Sequence, residues 1–383
     1  MSLSVAVFKE TAAGERRVAL DPASANKLAG KGIRVLVQRD AGEAAGFTDA
    51  QYSKAEILDD AAAIAGQADV CLWVQPPPPD LIRAMRSGCV GLGLVFAHRN
   101  PEVLEALNQQ SISCLAMELV PRISRAQSMD VLSSQATVAG YRAVLRAATL
   151  APRLFPMLTT AAGTLRPASV VIIGAGVAGL QAIATARRLG ARVEAYDIRS
   201  AAREQVESLG AKMIDTGVNA EGSGGYAREL TDEEKQQQAD KLAEHLAKCD
   251  VVISTAAIPG RPAPKIINKA MVDGMQPGAV IVDLAAESGG NCELTEPGKT
   301  IMHHAVMVDG PLNLASGAAI HASEMYARNL LNLLDLMVSD EGLDIDREDE
   351  VIAGTLLTSG GQVVHAQTAE ALGLAQPKET GDT

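Results

Sequence analysis

Three glycines and one aspartate carry the clearest chemistry in this chain. Gly174, Gly176 and Gly179 stand within V-V-I-I-G-A-G-V-A-G (Val170–Gly179), and Asp197 follows eighteen residues later. In G-x-G-x-x-G the first glycine permits a tight turn. The second lets backbone approach a pyrophosphate, and the third lets a helix sit close to the preceding strand. The N-terminus of that helix offers unpaired N–H groups to the anion. A carboxylate at the end of the next strand accepts both hydroxyls of an adenosine ribose and repels a 2′-phosphate. The pattern therefore predicts a site for NAD(H) rather than NADP(H). Arg199 is of a type that accommodates a 2′-phosphate, but Asp197 at the strand end is expected to dominate.

These residues need a strand, a helix and a second strand in that order, and the sequence supplies them. Ser169–Ile173 is apolar enough for a buried parallel strand. Leu180–Leu189 reads as a helix with apolar Leu180, Ile183, Ala184 and Leu189, stopped by Gly190. Arg192–Tyr196 is the strand that delivers Asp197. Further strands are expected at Lys212–Ile214, Val251–Thr255, Val280–Leu284 and Ala305–Met307. Upstream, Ser4–Phe8, Arg34–Gln38, Val70–Val74, Val90–Phe96 and Ser113–Ala116 read as strands. A helix over Pro22–Lys31 has Asp21 as N-cap and Gly32 after its end. Pro76–Pro79 reads as a stiff, non-helical connector. Long helices are expected over Ser133–Leu150 and Glu324–Val338, with Val351–His365 returning to the first half.

The reading is an α/β chain of two Rossmann-like, doubly wound domains, separated by a cleft and joined by two long helices. The first domain is discontinuous, residues 1–132 plus 318–383, and the dinucleotide-binding domain covers residues 133–317.

Composition sets the bounds. The 383 residues suit two domains. Aromatic residues are only 3% of a 47% hydrophobic chain, so the cores must be built mainly from Ala, Val, Leu and Ile. A net charge of -12 argues against nucleic acid or an anionic membrane surface as a direct partner. No apolar run reaches the roughly 18 residues that a membrane helix needs, and the N-terminus lacks signal-peptide character. The five cysteines are scattered without C-x-x-C, which suits a reducing cytosol. His303–His304 has no carboxylate or thiolate at ligand spacing, so no metal is expected.

One segment reads as a mobile lid. Glu221–Gly225 is E-G-S-G-G, Tyr226 follows, and Thr231 with Glu234 forms a capping box for a polar helix over Thr231–Lys248. A solvated loop and surface helix is the alternative.

Longer stretches resemble a known family. E-L-V-P-R-I-S-R-A-Q-S-M-D-V-L-S-S-Q (Glu118–Gln135), A-G-Y-R-A-V (Ala139–Val144) and L-Q-A-I-A-T-A-R-R-L-G-A (Leu180–Ala191) are similar to the NAD(H)-binding soluble component of proton-translocating nicotinamide nucleotide transhydrogenase. So are E-Q-V-E-S-L-G (Glu204–Gly210), G-G-Y-A (Gly224–Ala227), I-P-G-R-P-A-P (Ile258–Pro264), D-L-A-A-E-S-G-G-N-C (Asp283–Cys292) and A-R-N-L-L-N (Ala327–Asn332). The first hundred residues match more loosely, through F-K-E and G-E-R-R-V-A-L-D-P between Phe8 and Pro22.

The resemblance implies a Re/Si-specific enzyme in which hydride passes directly from NADH on this chain to NADP+ on a partner subunit, coupled to proton translocation by a membrane component. Two nicotinamides brought face to face need positioning rather than an acid or base. By resemblance, Arg122, Gln127, Asp130 and Ser133 do that positioning. Gln127 offers both a donor and an acceptor to ribose hydroxyls. Arg122 would orient the nicotinamide half, and Asp130 would hold the loop or accept from the carboxamide. Arg125 reads as a surface charge. Val177 would cover the adenine, and Asp197, Ile198 and Arg199 would frame the ribose and adenine. Gly225, Tyr226, Gln238 and Ala257 match positions lining the closed pocket. With no membrane-spanning tail in the sequence, the chain looks like the split-subunit form: a homodimer, cytoplasmic, held at the inner membrane through membrane-spanning and NADP(H)-binding partners.

Alanine dehydrogenase shares the fold and stays open as a second reading. It resembles the chain at Arg17, which there binds the substrate carboxylate, and at His98, a possible acid/base. It expects a lysine where this chain has Gln75 and an aspartate where it has Glu287, and both departures follow the transhydrogenase pattern. Losing the lysine removes a cation from the task of anchoring a carboxylate and moving an amine proton. A third reading is a non-catalytic NAD(H) sensor or scaffold.

Overall fold

The computed structural model describes residues 3–218, 230–257, 262–339 and 342–374. In chain order the strands are β1 (Ser4–Val7), β2 (Arg34–Gln38), β3 (Glu56–Leu58), β4 (Val70–Leu72), β5 (Val90–Gly93), β6 (Ser113–Ala116), β7 (Leu158–Thr160), β8 (Gly163–Leu165), β9 (Ser169–Ile173) and β10 (Arg192–Tyr196). Then come β11 (Lys212–Met213), β12 (Val251–Ser254), β13 (Val280–Asp283), β14 (Thr300–His303), β15 (Val306–Asp309), β16 (Val338–Ser339), β17 (Gly342–Leu343), β18 (Leu356–Ser359) and β19 (Gln362–Val363). The helices are α1 (Pro22–Gly30), α2 (Ala61–Ala65), α3 (Pro79–Ala84), α4 (Pro101–Gln109), α5 (Val131–Leu150), α6 (Val177–Arg188), α7 (Ala202–Ser208), α8 (Asp232–Leu246), α9 (Lys269–Asp273), α10 (Ala319–Leu334), α11 (Glu350–Thr355) and α12 (Ala366–Ala371). Contacts divide the chain into two units, Met1–Gln135 with Ser316–Thr383, and Ala136–Ala315.

The first unit holds a sheet in the order β19-β18-β6-β5-β4-β1-β2-β3. Strands β1 to β6 pair in parallel, while β18 runs antiparallel to β6 and carries β19 on the edge. The chain starts in the middle and winds outward both ways, which is the doubly wound pattern. Every residue of β1 is buried. Val5 and Val7 enter one core and Ala6 the other, because alternate side chains leave a strand on opposite faces. Trp73, the chain's single tryptophan, is fully buried beneath β5. A Cβ on Gly91 or Gly93 would come within 2.5 Å of its indole, so those glycines are the space the ring occupies.

Three expectations change here. Pro79 is not connector but the first residue of α3, with Pro78 as N-cap; proline suits that position because its missing N–H would lack a helical partner anyway. Helix α10 starts five residues before Glu324, since Ala319 and Ala322 extend its buried face, and it stops at Leu334. Val338 instead opens the small β16–β17 hairpin.

The second unit holds a sheet in the order β11-β10-β9-β12-β13-β15-β14, parallel except for the antiparallel edge strand β14. Val170 and Ile172 of β9 enter one core, Val171 and Ile173 the other. The hairpin β7–β8 lies outside this sheet and is exposed along its length. Thr231 and Glu234 make their reciprocal capping box at α8. All five cysteines are buried and unbridged. Among the described residues no helix is long and apolar enough to cross a membrane.

Candidate functional site

In the second sheet the chain order reverses between β9 and β12, and the residues of interest gather at the carboxyl ends of β9, β10 and β12. Ligands of doubly wound folds bind at that switch point. Gly174 follows β9 with φ +91°, a left-handed conformation that suits glycine. A Cβ on Gly179 would sit 1.8 Å from the Gly174 carbonyl oxygen, so any side chain there would force α6 off the turn. A Cβ on Gly176 would meet nothing within 4 Å, which leaves its face open to a ligand. Gly176 is the N-cap of α6, and no side chain caps that helix start. The uncapped N–H groups, the open glycine and the close helix make a cradle that fits a pyrophosphate.

Neighbouring strands lock the turn. The Gly174 N–H donates to the Tyr196 carbonyl at 2.8 Å, and Thr255 Oγ1 donates to the Gly174 carbonyl at 3.0 Å. Gly140 of α5 matters equally, since a Cβ there would lie 2.2 Å from the Ala178 carbonyl oxygen. Asn291 ties the loop after β12: its Oδ1 accepts from the Ala256 N–H at 3.0 Å, and its Nδ2 donates to the Ala256 and Pro264 carbonyls.

The Asp197 side chain is 7% exposed. Its Oδ2 accepts from the Ala175 N–H at 2.7 Å and from Arg199 Nη2 at 2.9 Å. Its Oδ1 accepts from the Arg199 N–H and Nε, both at 2.9 Å. Burial raises the carboxyl pKa, but the Arg199 side chain, the Arg199 N–H and the Ala175 N–H together carry it below the usual range. Asp197 and Ile198 line a depression of about 240 Å³ with Met213, Ile214 and Thr216. Val177 is exposed at the start of α6, Gln238 is half-buried on α8, and Ala257 is exposed beyond β12. Gly225, Tyr226 and the lid stretch Glu221–Gly225 lie outside the described residues.

The other four site candidates belong to the first unit. Gln127 is exposed on a 3-10 turn, Ser124–Met129, whose Ala126 and Met129 are buried in the core. Arg122 is exposed just before it. Asp130 ends the turn and accepts from the Ser133 N–H at 2.9 Å and Ser133 Oγ at 2.6 Å, so these two residues start α5 as a cap. Arg125 does more than face solvent: it holds Asp349, the N-cap of α11, through two bonds of 2.7 and 2.9 Å.

Two residues of α10 join the site's support without a clear sequence signal. Asn329 and Asn332 each donate from Nδ2 to the Ser128 carbonyl, at 2.8 and 2.9 Å. Asn329 Oδ1 also accepts from Ser134 Oγ at 2.7 Å. They fix the backbone beside Gln127. Both lie in the A-R-N-L-L-N stretch, whose amides are its one chemical hint.

Arg17 lies in a buried network. Its Nη2 donates to Glu15 Oε2 at 2.6 Å, its Nε to Glu15 Oε1 at 2.9 Å and its Nη1 to Gln135 Oε1 at 2.9 Å. Gln75 Nε2 donates to the same Glu15 at 2.9 Å. Burial raises the Glu15 pKa, yet Arg17's hydrogen bonds and charge bring it down to about 2. Glu287 accepts from the Asn313 N–H at 2.6 Å, and His98 is exposed.

Comparison with known proteins matches residues 6–139 to the alanine dehydrogenase/PNT N-terminal domain and residues 143–366 to its C-terminal domain. The chain is 47% identical over 376 residues to the first component of NAD(P) transhydrogenase subunit alpha of Rhodospirillum rubrum, covering 95% of this chain and 98% of that one. A crystal structure of transhydrogenase from Sinorhizobium meliloti superposes with a TM-score of 0.86 at 47% identity, over 94% of this chain and all of that one. Alanine dehydrogenase of Bacillus subtilis is more distant, 28% identical over 96% of this chain and 94% of its own length.

Proposed function

From the premise that the chain belongs to the alanine dehydrogenase/PNT family, we propose that it is the NAD(H)-binding alpha subunit of an NAD(P) transhydrogenase. It binds NAD(H) and passes hydride to NADP+ held by a partner subunit. Its Rhodospirillum rubrum relative, named as an alpha subunit of that enzyme, is 47% identical. The coupled proton movement belongs to a membrane partner, and the chain sits at the membrane through its partners.

When bound, the nicotinamide supplies the hydride, and the residues of this chain bind and orient it. The N-terminus of α6 takes the pyrophosphate. Asp197 takes the adenosine ribose, exchanging the Arg199 side chain for the ribose hydroxyls. Val177 and Ile198 flank the adenine. Arg122 and Gln127 orient the nicotinamide half, while Asp130 and Ser133 hold their loop through the α5 cap. Gln238 and Ala257 line the closed pocket.

The observation that carries this reading over amino-acid oxidation is the 47% identity to that alpha subunit along nearly the whole chain, against 28% to alanine dehydrogenase. The arginine that would anchor an amino-acid carboxylate is bound by a buried carboxylate of the same chain at 2.6 Å. Dimerisation is part of the proposal, supported by the apolar surface around β7–β8, where Leu154, Met157, Leu158 and Leu165 are exposed.

A two-nucleotide assay tests the reading. The isolated chain should reduce no NAD+ with L-alanine and should exchange hydride once an NADP(H)-binding partner is added. Robust alanine-dependent NADH production would overturn it.

A further inference from the structure

The pair His303–His304 has no ligand partner nearby in the sequence, but the fold brings one. Asp273 closes α9, and its Oδ1 lies 2.6 Å from His303 Nε2 and 3.9 Å from His304 Nε2. One ligand atom from each of the three residues falls within 4.8 Å of the others. The two imidazoles meet edge to face with centroids 4.4 Å apart. His303 is the last residue of β14 and pairs with Val306 of β15, which leaves His304 and Ala305 as a two-residue hairpin turn. Both have positive φ, 45° and 64°. Turns of that geometry favour Asn-Gly, so an imidazole there is unfavourable in backbone terms.

We propose that Asp273, His303 and His304 form a surface site for a divalent zinc-class ion, held by one carboxylate oxygen and two imidazole nitrogens with water completing the coordination. Two histidines and one carboxylate around an open position are a donor set that zinc accepts. Ligand atoms on a tetrahedral zinc stand about 3.3 Å apart. The 2.6 Å contact must therefore open slightly and the 3.9 Å contact close by a similar amount, within the reach of exposed side chains. The ion takes the place of the direct His303–Asp273 contact. Lys269 is the neighbouring cation whose charge reaches Asp273 and opposes the ion. With all five cysteines buried, no described thiolate competes at the surface. An ion here fastens the β14–β15 hairpin at the sheet edge to α9 of the same unit.

Titration of the full chain with Zn2+ by calorimetry, and with Co2+ by visible absorption, tests the site. Wild type should take up one equivalent with an absorption band typical of low-coordinate cobalt. His304→Asn suits the left-handed turn and keeps the hairpin, yet it should weaken binding at least about tenfold, as should Asp273→Asn. His303→Ala should abolish it. A wild type that shows no saturable binding at millimolar Zn2+, or variants that bind as wild type does, would overturn the proposal and leave His303–Asp273 as a plain hydrogen-bonded pair.

Discussion

Arg199 grips Asp197, two residues back, through Nε and Nη2, each 2.9 Å from a different carboxylate oxygen. In the proposed site the pair explains how an arginine can stand beside the ribose position: the acid neutralises its charge before the nucleotide binds. Asp197→Ala removes the proposed ribose acceptor and releases the guanidinium together. Charge-assisted bonds of this kind are worth about 1.5–3 kcal/mol, so NADH should bind roughly 10- to 150-fold more weakly. NADPH affinity should rise relative to NADH, since the freed arginine can meet a 2′-phosphate. Fluorescence titration with both nucleotides decides it, and an unchanged NADH dissociation constant would remove Asp197 from the site.

Gln127 stands exposed on a turn whose Ala126 and Met129 are anchored in the core. Gln127→Asn keeps the amide and withdraws it by one methylene. NADH affinity should stay within about twofold. Hydride exchange in the reconstituted complex should slow, by up to roughly a hundredfold if alignment of the rings depends on this amide. Stopped-flow exchange at wild-type rate would show that the loop does not position the reaction.

Asn329 and Asn332 hold one carbonyl, that of Ser128, and so hold the backbone next to Gln127. Asn329 is 6% exposed and makes a second bond to Ser134, so Asn329→Ala should cost about 1–3 kcal/mol of stability. The Asn332 bond is exposed, and Asn332→Ala should leave stability nearly intact. Both should lower the hydride-exchange rate without raising the NADH dissociation constant. A merely structural role would show as lost stability in Asn329→Ala with no rate change in Asn332→Ala.

What the sequence reveals depends on how far a residue must look for its partner. The β9-turn-α6-β10 unit can be read because apolar run, glycines and acid are contiguous and agree. Strands β2 and β6, at Arg34–Gln38 and Ser113–Ala116, start and stop where the apolar pattern does. Short edge strands such as β3 and β14 are not evident, for their half-exposed residues lack a strong pattern and pairing alone defines them. The same holds for side chains. Ser128 meets Asn329 across 201 positions, and His303 meets Asp273 across 30. Glu15 is only two residues from Arg17, yet its burial beside Gln75 and Gln135 comes from two distant segments.

Two carboxylates of the first unit shift in opposite directions, and together they shape its pH response. Glu10 accepts from the Val74 and Gln75 N–H groups at 2.6 and 3.1 Å. Burial raises its pKa to about 7, against the lowering pull of those two bonds. Above the unfolded value near 4.5 the unfolded chain has released this proton while the folded chain keeps it, so stability falls as pH rises from 4.5 to about 7. The loss is at most about 3 kcal/mol, and less because the side chain retains some contact with water. Glu15, held down to about 2 by Arg17 against its burial, contributes stability above pH 4.5 that is lost as pH falls through about 2. Glu10→Gln leaves one acceptor oxygen for two N–H groups and should cost roughly 1 kcal/mol at every pH. Its diagnostic effect is on slope: the decline in unfolding free energy between pH 4.5 and about 7 should flatten. Urea unfolding across that range settles the matter, because parallel curves for wild type and variant would mean that Glu10 ionises as an ordinary carboxylate.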